Sequence, residues 1–435
     1  MSLRCFGLLT LTAALGGCAS QAIDRGNGTP GAGAGGGTSG SGGGSAAAQG
    51  GSTGGSTIPD YTTSPCYGEP ATTEVYSLSN HQTRTVTATC RAEGEFARVY
   101  VVDALWQTQS DPSETPLDQG EIDAFMAGYE LEGKSNSYRP DLGVLPTDEL
   151  VFGALTDATL TDGKLPIFIV DSGGAGEGYL CSWCANTQLH LDYPLLGSLH
   201  SDKALSIAAH ESFHAIHHGY DPTESFWVDE SLAEAAMTVN GYFTDGAWVA
   251  SFLHATNVAW GPTLSNPQDM NYGAGLLLGT YLWEHGGKDL LYAITQDPKH
   301  EWAGIDSALA SVGDSATSWQ LWGDLGLSIF LDDPASGYAI KSFDLGGKPL
   351  PYVAKTGDTL SETLAPYGFA FVTFGDDATR LTLSTEGDVT ARLVFDGTPL
   401  DVRELANGDS VELATTPRVL LLTAQEKTPF DLAVE

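Results

Sequence analysis

Residues 208–220 read Ala208-Ala209-His210-Glu211-Ser212-Phe213-His214-Ala215-Ile216-His217-His218-Gly219-Tyr220, and the rest of the chain is best understood outward from them. His210 and His214 are four apart, so on a helix both imidazoles leave one face at neighbouring heights. That geometry suits two ligands of a tetrahedral Zn²⁺ ion. Glu211, beside the first imidazole, is placed to reach a water molecule on such an ion rather than the ion itself. Leu205, Ala208, Ala209, Phe213 and Ile216 supply apolar positions that bury the helix and leave the His pair facing a cleft. A chance HExxH occurs on the order of one time in a hundred in a chain this long, so a third ligand decides the matter.

Downstream stands Phe226-Trp227-Val228-Asp229-Glu230-Ser231-Leu232-Ala233-Glu234-Ala235-Ala236. Glu230 follows His214 after 15 intervening residues (215–229), room for a turn containing Pro222 and a second, antiparallel helix. Its carboxylate would complete a His₂Glu set of metal ligands: His210, His214 and Glu230. Glu234, one helical turn further on, is placed to accept the other ring N–H of a ligand His. Trp227, Val228, Leu232 and Ala236 frame the two carboxylates with apolar contacts.

HExxH followed by a Trp-Val-Asp-Glu-x-x-x-Glu helix resembles the gluzincin pattern of thermolysin-like and related metallopeptidases. The wording over 227–234 and the strands before the active helix look most like the hyicolysin-like bacterial peptidases. The likeness covers roughly residues 75–330 and is strongest over 205–236. It implies an α+β, thermolysin-like domain with a mixed N-terminal sheet and a helical C-terminal part, one catalytic Zn²⁺, and a protein or peptide substrate. A metzincin would need glycine at 217 and histidine or aspartate at 220, where this chain has His217 and Tyr220. His217 and His218 are therefore spare imidazoles, expected beside the ligands, at the surface or facing substrate.

Hydrolysis also needs a group for the oxyanion. Asn271-Tyr272-Gly273-Ala274-Gly275 resembles the Tyr-x-x-Gly helix start that carries such a tyrosine in the aminopeptidase branch, which makes Tyr272 the candidate, with His285 and His254 as alternatives. The aminopeptidases also place a Gly-x-Met-Glu-Asn strand ahead of HExxH. Gly174-Ala175-Gly176-Glu177-Gly178 shares letters with it but lacks the Met and Asn, so Glu177 reads as a loop residue. An endopeptidase is expected, with 186–193 as the edge strand that pairs with an extended substrate.

Other segments place this domain in the chain. Phe6 to Leu15 is apolar but too short to span, and Leu15-Gly16-Gly17-Cys18 resembles a bacterial lipobox. The resemblance implies a signal peptide over 1–17, lipidation of Cys18 and a protein of the outer membrane or cell surface. Residues 18–57 then form a Gly/Ser-rich tether that cannot bury enough apolar surface to fold. The metallopeptidase domain is expected over 58–345. Thr85–Cys90, Ala97–Val102, Leu165–Val170 and 188–191 read as strands, Asp118–Leu131 as a helix, and 201–333 as mostly helical. Short β-type runs over 346–435, with Asp396-Gly397 as a turn, read as a small all-β sandwich.

Apart from Cys5 and Cys18, four cysteines remain: Cys66, Cys90, Cys181 and Cys184. In an oxidising compartment they imply two disulfides in one of three pairings, of which Cys66–Cys90 with Cys181–Cys184 is favoured. Hydrophobic residues make up 42% and charged residues 17%, as in a globular protein. Lys+Arg 19 against Asp+Glu 55 gives a formal charge of −36, which argues against nucleic acid and against a basic face on an anionic membrane. Membrane attachment is expected only through the N-terminal lipid, and the body is expected to be monomeric. The rival class is an adhesion or binding lipoprotein on an inactive metallopeptidase fold, although such a protein has no need of Glu211.

Overall fold

The computed structural model describes residues 58–77, 82–107, 116–156, 160, 162–173, 176–181, 184, 187–242, 246–261, 269–342, 344–397, 399–413, 415 and 417–435. The expected signal peptide, Cys18 and the tether to residue 57 lie outside these residues, as do parts of the 173–178 loop and of the 186–193 segment. No helix among the described residues is long and apolar enough to cross a membrane.

The N-terminal half is built on strands β1 (Pro70–Ser77), β2 (Gln82–Glu93) and β3 (Ala97–Val102), then helices α1 (Gln119–Met126) and α2 (Val144–Phe152), then strands β4 (Leu165–Val170), β5 (Gly178–Cys181) and β6 (Gln188–Asp192). They form one six-stranded sheet in the order β1-β2-β3-β4-β6-β5. β4 pairs in parallel with β3 and β6, and both of its faces are covered, which is why Leu-Pro-Ile-Phe-Ile-Val is an unbroken apolar run. Ile167 and Ile169 face the helices, whereas Phe168 and Val170 pack with Val75, Ala88 and Val102 on the other side. The sheet curls until β1 meets the far end. Thr73 Oγ1 donates to Gln188 Oε1 at 2.6 Å, and the Tyr76 amide donates to Tyr179 Oη at 3.1 Å.

This arrangement corrects the expected substrate-facing edge. β6, within 186–193, is an inner strand between β4 and β5, and the edge strand is β5, which begins at Gly178, the end of the loop expected at 173–178. β5 is only four residues long and starts at Gly178, so neither length nor alternation marks it in the sequence. Glu177 leads directly into it, its carbonyl accepting the Asp192 amide at 2.9 Å.

The helical half comprises the short α3 (Tyr193–Leu196), α4 (Asp202–Tyr220), α5 (Phe226–Val239), α6 (Gly246–His254), α7 (Asp269–Gln296, broken at Gly287), α8 (Glu301–Ser311) and α9 (Ser318–Leu331). Strands β7 (Tyr352–Ala354), β8 (Thr359–Leu364), β9 (Phe369–Phe374), β10 (Arg380–Thr385), β11 (Thr390–Phe395), β12 (Asp401–Leu405), β13 (Ser410–Glu412), β14 (Val419–Thr423) and β15 (Thr428–Val434) follow. They make two sheets, β13-β10-β15-β8 and β12-β11-β14-β9-β7. Between the sheets lie Val372, Leu383, Leu393, Leu420, Leu422 and Leu432. The five-stranded sheet is buried on its outer face as well. Phe369, Phe371, Val394 and Leu421 belong to the same core as Trp322 and Leu325 of α9. Two covered faces explain why Phe-Ala-Phe-Val-Thr-Phe of β9 lacks polar alternation.

Cys66 pairs with Cys90, and Cys181 with Cys184. The first bridge ties the entry of the folded chain to β2 across a separation of 24 residues, a loop worth about 3 kcal/mol in chain entropy.

Asp148 of α2 is fully buried, with Asn240 Nδ2 donating to its Oδ1 at 2.6 Å. Burial pushes its carboxyl well above the usual range, and the Asn240 bond offsets only part of this. The folded chain thus keeps this proton to higher pH than the unfolded chain does. The associated stability is complete below the ordinary carboxylate range and is lost as the pH climbs through the raised folded value. Asp148→Asn, which cannot ionise, should therefore match the parent at pH 4 and exceed its Tm by roughly 2–4 °C at pH 8. Thermal unfolding across that range checks this, and a variant less stable than the parent at pH 8 would contradict it.

Candidate metal centre

α4 starts at Ser201, whose Oγ accepts the Ala204 amide at 3.1 Å and so caps the helix. Its Ala208, Ala209, Phe213 and Ile216 are fully buried against the sheet and neighbouring helices, which leaves one seam for its polar residues. In that seam the His210 and His214 rings stand 4.8 Å apart at 76°. α5 lies against it and brings Glu230 between them. Glu230 Oε2 is 3.3 Å from His210 Nε2, and Oε1 is 3.8 Å from His214 Nε2. One donor atom from each of the three residues falls within 4.8 Å of the others. Tetrahedral zinc with bonds near 2.0–2.2 Å needs ligand atoms roughly 3.3–3.5 Å apart, so small adjustments would seat the ion.

The far ring nitrogens have partners too. His210 Nδ1 faces Glu234 Oε1 at 3.6 Å, and His214 Nδ1 lies 2.8 Å from Asp229 Oδ2. The carboxylate on His214 Nδ1 holds that proton, the nearby Glu234 faces His210 Nδ1, and both rings turn Nε2 toward the shared space, where a bound metal would replace any proton. Asp229 was not singled out in the sequence. Its signal is its place next to Glu230 in the first turn of α5, but an acidic residue there also reads as an ordinary companion of a helix N-terminus. The second oxygen of Asp229 is 2.6 Å from His217 Nδ1, so the buried His217 is neither a ligand nor a surface residue. It braces the carboxylate that braces His214.

The ligands and the neighbouring Glu211 and Glu234 are dry, whereas Asp229 is partly exposed. His210, Glu211, Glu230 and Glu234 are 3%, 1%, 2% and 0% exposed, which makes an uncompensated negative charge expensive. Burial alone would push His214 down, yet Asp229, Glu230 and Glu211 outweigh it and hold its imidazolium up to about 10. Burial likewise would raise Asp229, but His214 and His217 keep it well below the usual carboxylate range. A seam with this field favours a cation, and a set of two imidazoles and one carboxylate is a donor set suited to zinc.

Glu211 shares a small pocket with His210, Glu234, Tyr272, Trp248 and Gly178. Gly178 is glycine for a packing reason: an added Cβ would come within 2.5 Å of Ile207 and 3.2 Å of Glu211. Edge strand β5 can thus lie close over the metal-facing helix at Ile207 and Glu211. Tyr272, in the first turns of α7, is 4% exposed and packs on the Trp248 ring at 5.1 Å. Gly273 beside it admits α6, since a Cβ there would strike the Trp248 carbonyl oxygen at 2.3 Å. His285 bonds to Asp314 at 2.6 Å, and the exposed His254 bonds to the Ala250 carbonyl at 2.6 Å; neither borders this pocket.

Asp229→Ala should weaken zinc binding about 10–100-fold while leaving the ligand set intact, as loss of a carboxylate behind a ligand His does elsewhere. Competition against a chromogenic chelator measures this, and unchanged affinity would show that Asp229 does not orient His214. No protein-family model matches the chain, and no curated protein matches it in sequence. What the site can do is therefore read from its own residues.

Proposed function

We propose that the chain is a zinc-dependent endopeptidase, with His210, His214 and Glu230 as the metal ligands. The observation that carries this reading is the convergence of those three donors with Glu211 left over, buried in the same pocket as Tyr272. A purely structural metal site has no use for an extra buried carboxylate beside its ligands. Zinc held there would supply an activated water near neutral pH and polarise the carbonyl to be attacked.

The chain's own residues account for the rest. Glu211 takes the proton of the attacking water and passes it to the departing amine. The Tyr272 hydroxyl donates to the oxygen that becomes negative during attack. Asp229 holds the His214 imidazole in the required orientation, and Glu234 stands behind His210, where a small approach would do the same. The outer edge of β5 is suited to an extended substrate backbone, which would add a strand beside the pocket. Glu177 borders the pocket, but its carboxylate is engaged by Lys203 at 2.5 Å. That pairing supports an endopeptidase over an enzyme that grips a free substrate amine. Two disulfides fit an oxidising compartment, and together with the lipobox-like Cys18 they support an anchored protein of the cell envelope.

Glu211→Gln should lower turnover of an internally quenched peptide blocked at both ends by at least about 100-fold, with zinc content and Tm unchanged. Tyr272→Phe should lower kcat by about 100-fold and leave KM nearly as it was. A Glu211→Gln protein as active as its parent would defeat the mechanism. A parent that binds zinc yet cleaves no peptide would favour the inactive binding protein.

A further inference from the structure

We infer that the C-terminal sandwich is a working part of the catalytic site, holding Tyr272 in place through the segment 255–261. This rests on the peptidase reading, in which Tyr272 faces the reacting carbonyl. α6 and α7 line the pocket together with β5, contributing Trp248 and Tyr272. The segment after α6 has one side on α7. Its Ala259 carbonyl accepts from Asn271 Nδ2 at 2.9 Å, one residue from Tyr272. The Trp260 ring presses on α7 at Gly275, where an added Cβ would meet it at 3.0 Å.

Its other side belongs to the sandwich. Asn257 donates from Nδ2 to the Thr363 carbonyl at 2.9 Å and accepts the Ala365 amide on Oδ1 at 2.8 Å. The Phe369 amide donates to the Thr256 carbonyl at 2.8 Å, and the Trp260 amide to the Pro366 carbonyl at 3.1 Å. The loop that makes these bonds is itself fixed. Tyr367 sits at a φ of 59°, in the left-handed region, and its ring stacks on Trp302 of α8 at 5.4 Å. A strained residue locked by stacking is a firm anchor for the segment that supports α7. The hydrogen bonds thus run from sandwich to segment to helix, and they end beside the proposed oxyanion donor. Asn257 is the positioning residue, because its amide donates with Nδ2 and accepts with Oδ1 on two backbone groups of the sandwich loop at once.

The test compares the full-length parent with Asn257→Ala and Asn257→Asp, the latter keeping the acceptor but losing the donor. Expected for Asn257→Ala is a kcat lower by about 10–100-fold, with KM within about twofold and zinc content unchanged. Asn257→Asp should fall between it and the parent. Amide hydrogen exchange over 271–276 should quicken in both variants, in the metal-free as well as the zinc-loaded protein. If Asn257→Ala does not fold, Asn257→Asp carries the same measurements. Parent-like kcat together with parent-like exchange over 271–276 would overturn the inference. A parent without turnover would instead count against the peptidase reading, and the exchange data alone would then decide whether the sandwich holds α7.

Discussion

Helices α4 and α5 meet with imidazoles of one and carboxylates of the other buried in the seam, and so much buried charge has to be balanced. Glu211, Glu230 and Glu234 lie with His210 where almost no water reaches, and the partly exposed Asp229 pairs with His214. Isolated carboxylates in such a place would shift toward their neutral form. Paired imidazoles offset their charge, and the raised affinity of His214 for a proton shows the sign of the field. A divalent cation satisfies the same field with more charge and fixed directions. The rest of the architecture serves to keep this seam closed and correctly spaced.

Spacing is set by where side chains are missing as much as by where they are present. Gly178 lets the sheet edge lie close over α4, and Gly273 lets α6 press against the turn that carries Tyr272. The pocket between these approaches is small, and both Glu211 and Tyr272 line it. The sandwich is joined to the helices by a shared apolar core. Trp322 of α9 stacks on Phe369 of β9 at 4.6 Å, and Arg392 of β11 reaches Asp324 at 2.6 Å. A change of secondary structure near residue 346 is thus not a break in packing.

Much of this was legible in the sequence where short-range periodicity carries the information. The four-residue spacings of His210 with His214 and of Glu230 with Glu234 encode shared helix faces, and the unbroken run of β4 encodes a strand covered on both sides. Residues whose roles depend on a distant partner were not legible. Asp229 matters because of where α4 lies, and β5 is a strand only because β6 offers it a free side. Nor does the sequence show that Asn257, in an irregular stretch, answers to a loop more than 100 residues away; the separations are 106 and 108. Tertiary pairing leaves no periodic trace, so such residues emerge only when both partners are in view.

The central claim is that His210, His214 and Glu230 together hold one zinc ion. Elemental analysis of the purified chain beside its His214→Ala variant tests it directly, with circular dichroism to show that both are folded. The account predicts about one zinc per chain in the parent and none retained in the folded variant after dialysis. A parent that takes up no zinc when it is supplied, or a folded variant that holds it as firmly as the parent, would contradict the account.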